Sequence, residues 1–341
     1  MPAAPASPYG RHVLRTVIVG DIHGCFDELL ELLEKADLHP DDLLVSVGDL
    51  VDRGPAPGEV VGLFRERPNS VVVMGNHERK HVRGIFSYAQ EITRLQLGDR
   101  YAETVEWMRT LPYHFENEHV RVVHAALLPE IAPADQKEEI LCGSTSGERE
   151  LAALFPDSHW HDHYTDAKPV VFGHHVTGHE PMIRDGRIFG LDTGACHGWN
   201  LTALSVPDFT IHQVRAHADH WSIAKRRWQL PVLKTKPWYD LTWPELTRMI
   251  ERFSSAPEAG RWLEAVAGWA AELRSSMPAL AAAAHRAAAE LAPDELRRHP
   301  AASYLFQARE GRLDLVKRCP TPRRTIDLAA TLGLPLPELP D

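Results

Sequence analysis

Between Val13 and Asn76 the chain alternates between short apolar runs and amphipathic stretches, and this alternation constrains the fold more than any other sequence feature. The runs VLRTVIVG, DLLVSVGD and SVVVMGN are mostly apolar, which indicates strands covered on both faces of a sheet. The intervening stretches CFDELLELLEKADL and PGEVVGLFRERP place apolar residues at three- and four-residue spacing and predict helices. This strand-helix-strand-helix-strand order predicts a parallel sheet with right-handed crossovers.

The mixture of strands and helices continues to about residue 214. The stretch 77–111 is mostly helical in pattern. Five further strands are predicted, at 119–125, 168–175, 187–194, 200–206 and 209–214. Their closer spacing favours antiparallel or mixed pairing. The fold class expected from this order is α/β.

After Arg215 the pattern changes to one of helices alone. Thr242 and Glu245 form a capping pair ahead of an apolar stripe, and a second stripe contains Trp262 and Trp269. Such stripes are more typical of a helical core than of a ligand platform, and four helices are predicted. We therefore expect three parts, which are a mobile tail over 1–12, an α/β domain over 13–214 and a helical C-terminal extension of unknown role over 215–341.

The formal charge of −10 is distributed unevenly along the chain. Residues 1–214 contain 18 Lys+Arg and 32 Asp+Glu, a net of −14, whereas residues 215–341 contain 19 and 15, a net of +4. An acidic first part argues against non-specific binding to a nucleic-acid backbone, but it suits metal ions. The weakly basic C-terminal part is more typical of a solvated surface than of a nucleic-acid arm.

The cysteines and the apolar segments indicate a compartment. Four cysteines lie far apart without a CxxC pair, which argues against a structural zinc site or a disulfide framework. The N-terminal sequence has no apolar signal-peptide region, and no stretch approaches about 18 uninterrupted apolar residues. We therefore expect a cytoplasmic protein that does not associate with a membrane.

The predicted strands end in polar motifs. The first three end in GDIHG, GDLVDRG and GNHER, and two later strands end in His124 and His174. Because ligands of open α/β sheets collect beyond the carboxyl ends of the strands, these side chains are expected to meet at one edge. The first three motifs contribute Asp21, His23, Asp49, Asp52, Asn76 and His77.

Several carboxylates crowded at one edge would repel one another and raise each other's pKa. Bound metal ions remove this penalty, and a set of Asp, His and Asn without Cys suits Mn, Fe or Zn. Two ions that share a bridging carboxylate can stabilise both the attacking and the leaving oxygen of a phosphoryl displacement. The pattern therefore indicates a two-metal site for phosphate chemistry.

In this order the motifs GDIHG, GDLVDRG and GNHE, followed by strands that end in His and in GH, resemble the calcineurin-like metallophosphoesterases. The Arg-Gly pair after Asp52 and the Glu after His77 resemble the phosphoprotein phosphatase family more narrowly. The resemblance covers about residues 14–214, and the spacing of the motifs is similar to that of a bacterial subgroup. That subgroup contains serine/threonine protein phosphatases, symmetrical diadenosine tetraphosphate hydrolases and phosphatase domains of RNA-repair enzymes. It implies a metallophosphoesterase-type α/β/β/α sandwich, here with a C-terminal helical subdomain.

The resemblance also implies the ligands of a binuclear centre. Asp21 and His23 would hold the first ion, and Asp49 would bridge the two ions. The remaining ligands of the second ion would be Asn76, His124 and His174. Two divalent ions are expected, with manganese first and iron or zinc as alternatives.

Catalytic roles follow from the same resemblance. His77 falls on the proposed general acid of the family, and Asp52 falls on the carboxylate that orients it. A histidine beside a metal ligand can protonate a leaving alkoxide, and a carboxylate fixes its tautomer. Arg53 would clamp phosphate oxygens, and the loosely matched Arg149 is the candidate for a second phosphate-binding arginine. The implied nucleophile is a metal-bound hydroxide, so no Ser or Cys forms a covalent bond.

Some positions fit the family pattern less closely. Val176 stands where the broader family often supplies a further histidine. His175 is expected to be a supporting or surface residue rather than a ligand, and Asp192 is either a supporting residue or a turn former. The histidines of HWHDHY, at 159–164, are expected in a surface loop.

The motifs do not distinguish substrates, because the metals contact only the phosphate. The acidic first part shows no adenine platform or basic channel, which favours a phosphomonoesterase of the serine/threonine protein phosphatase type. The expected partner is a phosphorylated protein or a small phosphate ester. One alternative is a symmetrical dinucleoside polyphosphate hydrolase. Another, of a different class, is an inactive metal-binding scaffold whose C-terminal helices bind a partner or dimerise.

Overall fold

The computed structural model describes residues 14–253 and 258–341, so the tail predicted at 1–12 lies outside the described residues. Two compact units are present, divided between Trp228 and Gln229. The strands of the described residues all belong to the first unit and are β1 (Thr16–Val19), β2 (Leu43–Ser46), β3 (Ser70–Val72), β4 (His114–Glu116), β5 (Arg121–Val123), β6 (Val170–Phe172), β7 (Met182–Arg184), β8 (Ile188–Gly190), β9 (Asn200–Val206) and β10 (Thr210–Arg215).

Helices separate many of these strands and make up the second unit. Those of the first unit are α1 (Phe26–Lys35), α2 (Pro57–Glu66), α3 (Asn76–Val82), α4 (Tyr88–Leu97), α5 (Tyr101–Met108), α6 (Glu138–Leu141), α7 (Thr145–Leu154) and α8 (His220–Arg227). Those of the second unit are α9 (Gln229–Lys234), α10 (Trp243–Phe253), α11 (Gly260–Ser275), α12 (Met277–Glu290), α13 (Pro293–Arg298), α14 (Ala302–Arg309), α15 (Leu315–Arg318) and α16 (Pro322–Thr331). Within the described ranges, no helix is both long and apolar enough to cross a lipid bilayer.

The strands form two five-stranded sheets, in the orders β10-β9-β1-β2-β3 and β4-β5-β6-β8-β7. β1, β2 and β3 pair in parallel, as the alternation at the start of the chain predicts. β9 pairs antiparallel with β1, and the parallel centre of the second sheet, β5-β6-β8, lies between the antiparallel edge strands β4 and β7. Both sheets are therefore mixed, and the predicted α/β fold class is confirmed.

Three apolar clusters define the layers of the first unit. Ile18 of one sheet and Val122 of the other belong to a single buried cluster, so the two sheets pack face to face. The outer face of the first sheet packs with α1 and α2, and Leu29 belongs to that cluster. The outer face of the second sheet shares a cluster with α6 and α7, in which Val170 and Leu151 lie. This is the helix-sheet-sheet-helix order that the resemblance implies.

Several short elements have no counterpart in the sequence prediction. β4 and β7 have three residues each and are only partly buried at sheet edges, so they show no alternation. α9, α13 and α15 have four to six residues, which is too short for a helical period to be visible. α16 was also missed, although Thr321 caps it by accepting the backbone N–H of Arg324 and Pro322 begins it.

The tryptophans of the second unit form its core. Trp238, Trp243, Trp262 and Trp269 lie in one apolar cluster. Each indole N–H donates to a backbone carbonyl, and in the same order the acceptors are Leu233, Cys319, Pro340 and Pro337. Burial of the rings with satisfied N–H groups makes these stripes a core rather than a ligand platform.

Glu28 on α1 is buried and fixes the segment that leads into α8. Its Oε1 accepts the backbone N–H of His217 at 2.9 Å and lies 2.6 Å from Nε2 of His220. Although burial alone would raise the pKa of Glu28, these hydrogen bonds lower it to about 2. α8 is therefore part of the first unit, although it lies beyond the predicted end of the α/β domain at residue 214.

The stabilisation from Glu28 is expected to fade in acid. The carboxyl has a pKa of about 2 in the folded chain and an ordinary value of 4.5 in the unfolded chain, so it stabilises the fold at neutral pH. This contribution is lost as the pH falls from about 5 to about 2. Glu28→Gln should lower the unfolding free energy by roughly 2 kcal/mol at pH 7 and by less than half of that at about pH 3. Urea titrations at both pH values check this, with Glu34→Gln at an exposed position of the same helix as the control. An equal penalty at both pH values would contradict the assignment.

Candidate metal centre and active site

The carboxyl ends of five strands bring the predicted residues to one edge of the sandwich. Two of these residues follow each of β1, β2 and β3, and one follows each of β5 and β6. In chain order they are Asp21 and His23, Asp49 and Asp52, Asn76 and His77, His124, and His174. Six of the eight are buried, so polar groups at this edge need partners to offset their desolvation.

The backbone at this edge adopts conformations that side chains rarely occupy. Nine non-glycine residues in the described ranges have positive φ, and five of them lie here. They are His23, Asp49, Asp52, Arg53 and His174, with φ between 47° and 70°. Such conformations cost about 1–3 kcal/mol each, and their concentration at one place indicates a functional edge.

Two glycines provide the space for two of the carboxylates. A Cβ atom at Gly173 would lie 2.0 Å from Oδ1 of Asp21, and one at Gly75 would lie 2.2 Å from Oδ1 of Asp49. Neither position tolerates a side chain without displacing the carboxylate. The glycines that precede His174 and Asn76 are therefore part of the site.

Asp49 lies at the centre of the group. Its Oδ2 is 3.6 Å from Nε2 of His23 and 3.9 Å from Nε2 of His77, and its Oδ1 is 3.5 Å from Nε2 of His124. Ligand atoms of His23, Asp49 and His77 lie within 4.8 Å of one another, as do those of Asp49, His124 and His174. Asp49 thus joins two neighbouring groups of potential ligands, as a carboxylate shared by two ions would.

Asp21 and Asn76 lie beside these two groups. Both carboxylate oxygens of Asp21 are 3.1 Å from the backbone N–H of His174. Oδ1 of Asn76 is 3.3 Å from Nε2 of His124. Burial and the neighbouring carboxylates raise the pKa of Asp21 well above its usual range. A nearby divalent cation would remove this penalty on the ionised form.

The imidazoles of His23 and His124 are oriented as metal ligands. Nδ1 of His23 is 2.8 Å from the carbonyl oxygen of Val51, and Nδ1 of His124 is 3.0 Å from that of Val47. Each Nδ1–H therefore donates to a carbonyl, which leaves the lone pair of Nε2 directed toward Asp49. At His23 the Arg53 guanidinium donates to this lone pair. At His124 the lone pair faces oxygens of Asp49 and Asn76, which repel it unless a cation lies between them. The donor set therefore fits divalent metal ions.

The protonation states agree with this orientation. Burial and the Arg53 cation lower the pKa of His23 well below its usual range, and burial lowers the pKa of His124 to about 4. Asp49 accepts the backbone N–H of His77 at 3.0 Å, which favours its ionised form. Neutral imidazole and ionised carboxylate are the forms that bind metals.

His77 and Asp52 form a buried pair beside the ligand groups. Nδ1 of His77 lies 2.5 Å from Oδ2 of Asp52, so Nδ1 carries the shared proton and Nε2 faces the ligands. The same carboxylate also accepts hydrogen bonds from Nε2 of His81 at 3.0 Å, Oγ1 of Thr93 at 2.7 Å and Nε2 of Gln90. Four donors hold the carboxylate, which in turn fixes the orientation of the His77 ring.

Three of these donors were not predicted from the sequence. His81 has a sequence signal, because it lies four residues after His77 on the same face of α3. Gln90 and Thr93 lie on α4, and only the packing of that helix brings them to Asp52.

Glu78 joins two of the motifs. Its carboxylate accepts the backbone N–H of Gly75 at 3.1 Å. It also accepts three N–H groups of the second motif, at 2.9, 2.8 and 3.3 Å, from Asp49, Leu50 and Val51. The glutamate of GNHE is therefore a positioning residue for the central carboxylate, a role that the sequence pattern alone does not reveal.

The two predicted phosphate-binding arginines lie in different places. The guanidinium of Arg53 is 3.0 Å from Nε2 of His23 and 3.1 Å from Nε2 of His77, so it reaches the ligand groups. Arg149 instead lines a neighbouring cleft of about 350 Å³ that begins at Asn76. The other residues that line this cleft are Arg79, Lys80, Arg83, Ile85, Ser144, Thr145 and Ser146.

His175 and Asp192 lie at the margin of the site. His175 is exposed, and its Nε2 is 3.5 Å from Oε2 of Glu148. Asp192 is buried, and its Oδ1 accepts the backbone N–H of Gly194 at 3.0 Å. Asp192 therefore forms a turn and also adds negative charge near Asp21.

The prediction of a surface position for the histidines of HWHDHY agrees with the exposed His159 and His163 but is wrong for His161, which is buried together with Trp160 and Tyr164. Trp160 and His161 are buried, and both rings contact Phe172 of β6. A 3₁₀ turn over Trp160–His163 points these rings inward because the outer face of the second sheet needs an apolar cover.

A shared carboxylate flanked by neutral imidazoles, with an oriented histidine beside it, defines a metal-dependent hydrolase of phosphate esters. Comparison with known proteins then gives the family. Residues 14–218 match the calcineurin-like phosphoesterases, and the chain belongs to this family. The family depends on a binuclear metal centre, and this structure contains candidate metal-binding residues for it, which are grouped around Asp49.

Two of the relatives that this chain resembles are named as tetraphosphatases. The chain is 31% identical over 231 residues to PrpE, an asymmetrical bis(5'-nucleosyl)-tetraphosphatase of Halalkalibacterium halodurans, with 56% of this chain and 89% of the relative covered. It is 27% identical over 265 residues to a symmetrical bis(5'-nucleosyl)-tetraphosphatase of Salmonella paratyphi C, with 57% and 92% covered. A solved structure described as "Crystal structure of a putative diadenosine tetraphosphatase" is 26% identical, with a TM-score of 0.50 and 61% of this chain and 96% of that chain covered.

Proposed function

We propose that this chain hydrolyses phosphoanhydride bonds of dinucleoside polyphosphates such as diadenosine tetraphosphate. The observation that carries the proposal is the cleft between Asn76 and Arg149, which four cationic side chains line. The activities named for the curated relatives support the same substrate class. The sequence pattern favours a phosphoprotein substrate instead, because no basic channel is visible in the acidic first part of the chain. The basic residues of the cleft are scattered along that part of the sequence.

The cleft offers positive charge that is not fully neutralised. Arg79 lies 2.5 Å from Glu139, and Arg83 lies 3.5 Å from the same carboxylate. Lys80 and Arg149 form no ion pair with any residue in the described part of the chain. A polyphosphate carries several charges beyond the phosphate that reacts, and a cleft adjoining Asn76 can receive them. A small phosphomonoester such as 4-nitrophenyl phosphate has no further charged group to place there.

We assign the ligands as the resemblance implies. Asp21 and His23 would hold the first ion, and Asp49 would serve both. The other residues that would hold the second ion are Asn76, His124 and His174. When bound, the ions neutralise the crowded carboxylates and stabilise the attacking and leaving oxygens. Manganese suits these donors, as do iron and zinc.

Arg53 and His77 act on the substrate itself. The Arg53 guanidinium donates toward Nε2 of His23 and of His77, so its donors already point to the place where phosphate oxygens bind. Asp52 holds the proton on Nδ1 of His77, so Nε2 can carry the proton that the leaving group takes once the Arg53 N–H that now faces Nε2 turns to a bound phosphate. The four donors on Asp52 keep this orientation without reorganisation during the reaction.

Phosphoprotein hydrolysis is the second candidate. Arg53 directly after Asp52, and Glu78 directly after His77, are the features that resemble the phosphoprotein branch. The inactive scaffold is not favoured, because the candidate ligands and the His77–Asp52 pair are all present and close together.

The two units of the chain are proposed to have different roles. We assign catalysis to the first unit, which extends past the expected boundary at residue 214 to Trp228, and the binding of a partner or dimerisation to the helical unit that begins at Gln229. A cytoplasmic location suits the cysteines, because Cys25, Cys142, Cys196 and Cys319 are free and buried.

Removing charge from the cleft is expected to weaken the binding of a polyphosphate selectively. Lys80→Ala and Arg149→Ala should each raise KM for diadenosine tetraphosphate by about tenfold, since loss of about 1.4 kcal/mol of binding gives that factor. KM for 4-nitrophenyl phosphate should stay unchanged, because this small ester does not reach the cleft. Steady-state kinetics with Mn²⁺ provide the measurement.

Arg109→Ala is the matched control, because Arg109 is exposed and pairs with Glu106 at the end of α5. Equal losses on both substrates would contradict a role of the cleft in polyphosphate binding. A wild-type preference for a phosphothreonine peptide over diadenosine tetraphosphate would favour the second candidate instead.

A further inference from the structure

We propose that Glu148 is a positioning residue for His174 and thereby sets the affinity of the second metal position. The inference rests on the proposed function, because it needs His174 to be a metal ligand. Glu148 lies in the first turn of α7, whereas His174 follows β6, so the contact is a tertiary one. No sequence motif identifies this glutamate as part of the site.

The carboxylate of Glu148 faces two neighbouring imidazoles. Its Oε1 is 3.2 Å from Nε2 of His174, and its Oε2 is 3.5 Å from Nε2 of His175. Oε1 is buried, and no hydrogen bond of good geometry reaches it within the described residues. A buried carboxylate oxygen without a donor is costly, and a small rotation of the His174 ring would supply the donor.

In His174 the roles of the two ring nitrogens are exchanged relative to His23 and His124. His23 and His124 donate Nδ1–H to main-chain carbonyls and turn Nε2 toward Asp49. His174 turns Nε2 toward Glu148, which leaves Nδ1 for the group that it forms with Asp49 and His124. Its outer partner is therefore a side chain rather than the backbone.

This difference makes His174 the ligand most dependent on a single outer residue. Its backbone is in the left-handed region at φ 67°, and its side chain is partly exposed. Space for its ring comes from Gly143, where a Cβ would lie 2.6 Å from Nε2. A carboxylate that accepts from the outer nitrogen of a ligand imidazole fixes the ring and strengthens the ligand.

The same glutamate has an alternative use that the test must separate. Ligand atoms of Glu148, His174 and His175 lie within 4.8 Å of one another, so the three could in principle surround an ion of their own. That ion would require Nε2 of His174 as a ligand rather than as a donor to Glu148. The positioning role predicts two ions for each chain, whereas the separate site predicts three.

The test is a Mn²⁺ titration of the chelator-treated full chain by calorimetry, with bound metal counted by mass spectrometry. Glu148→Gln should weaken one of two Mn²⁺ sites by about 10- to 100-fold and leave the other within about threefold. Glu148→Asp, which keeps the charge but shortens the reach, should show the same loss. Glu150→Gln on the same helix, which alters a surface pair with Lys137, is the control and should match the wild type.

Thermal unfolding of the metal-free proteins separates positioning from general destabilisation, and all variants should unfold at the same temperature. Wild-type affinity in Glu148→Gln or Glu148→Asp would overturn the inference, as would loss of a third ion while two sites stay intact. A wild-type chain that binds no Mn²⁺ would instead overturn the proposed function itself. The two failures are therefore distinguishable.

Discussion

Replacement of His77 by glutamine is expected to lower kcat on an alkyl phosphomonoester by about 10²- to 10⁴-fold, the usual contribution of a positioned general acid. The physical reason is the pair with Asp52, which holds Nδ1 at 2.5 Å and leaves Nε2 to serve the leaving group. Glutamine keeps a hydrogen-bonding group near Asp52 but cannot donate a proton in the same way. KM and metal content should change little.

The size of this loss should depend on the leaving group. A nucleoside polyphosphate is a better leaving group than an alkoxide and needs less protonation, so the loss on diadenosine tetraphosphate should be smaller than on an alkyl phosphate. His39→Gln, at an exposed histidine, serves as the control. Equal activity of His77→Gln and wild type on the alkyl ester would show that His77 is not the proton donor.

The second large effect is expected from Asp49→Asn, which should lower the affinity for both metal ions by more than about 100-fold and abolish turnover. Asp49 is the carboxylate that faces His23 with one oxygen and His124 with the other. Asparagine has the same shape and can still accept the backbone N–H of His77, which lies 3.0 Å from Oδ1. The fold should therefore persist while the bridging charge is lost.

Bound Mn²⁺ and circular dichroism of the same samples provide the measurement for this variant. Asp208→Asn, in the turn between β9 and β10, controls for the loss of one carboxylate. Retention of one tightly bound ion in Asp49→Asn would contradict the assignment of Asp49 as the bridge. Retention of two would place the metals elsewhere.

The central part of the site follows from the sequence because of strand order. Once three parallel strands are recognised, their carboxyl ends must share an edge, and GDIHG, GDLVDRG and GNHE stand directly after them. His124 and His174 follow the same logic in the second sheet, where β5 and β6 are also parallel. The motifs that directly follow these strands therefore contain most of the information needed to predict the site.

Contacts that depend on packing between distant elements were not predictable. Gln90 and Thr93 reach Asp52 only because α4 packs beside α3, and Glu148 reaches His174 only through the placement of α7. The basic cleft was missed for a different reason. Lys80 and Arg149 lie far apart in sequence, with α4, α5, β4, β5 and α6 between them, and the net charge of the region hides their convergence.

The most direct test of the binuclear assignment is to strip the wild-type chain with a chelator, restore Mn²⁺ stepwise, and measure bound metal and hydrolysis of diadenosine tetraphosphate in the same samples. The account predicts two bound ions for each chain, with hydrolysis that appears as the second ion binds and disappears on renewed chelation. Full turnover in excess chelator, or a maximal rate of hydrolysis without any bound metal, would contradict this assignment.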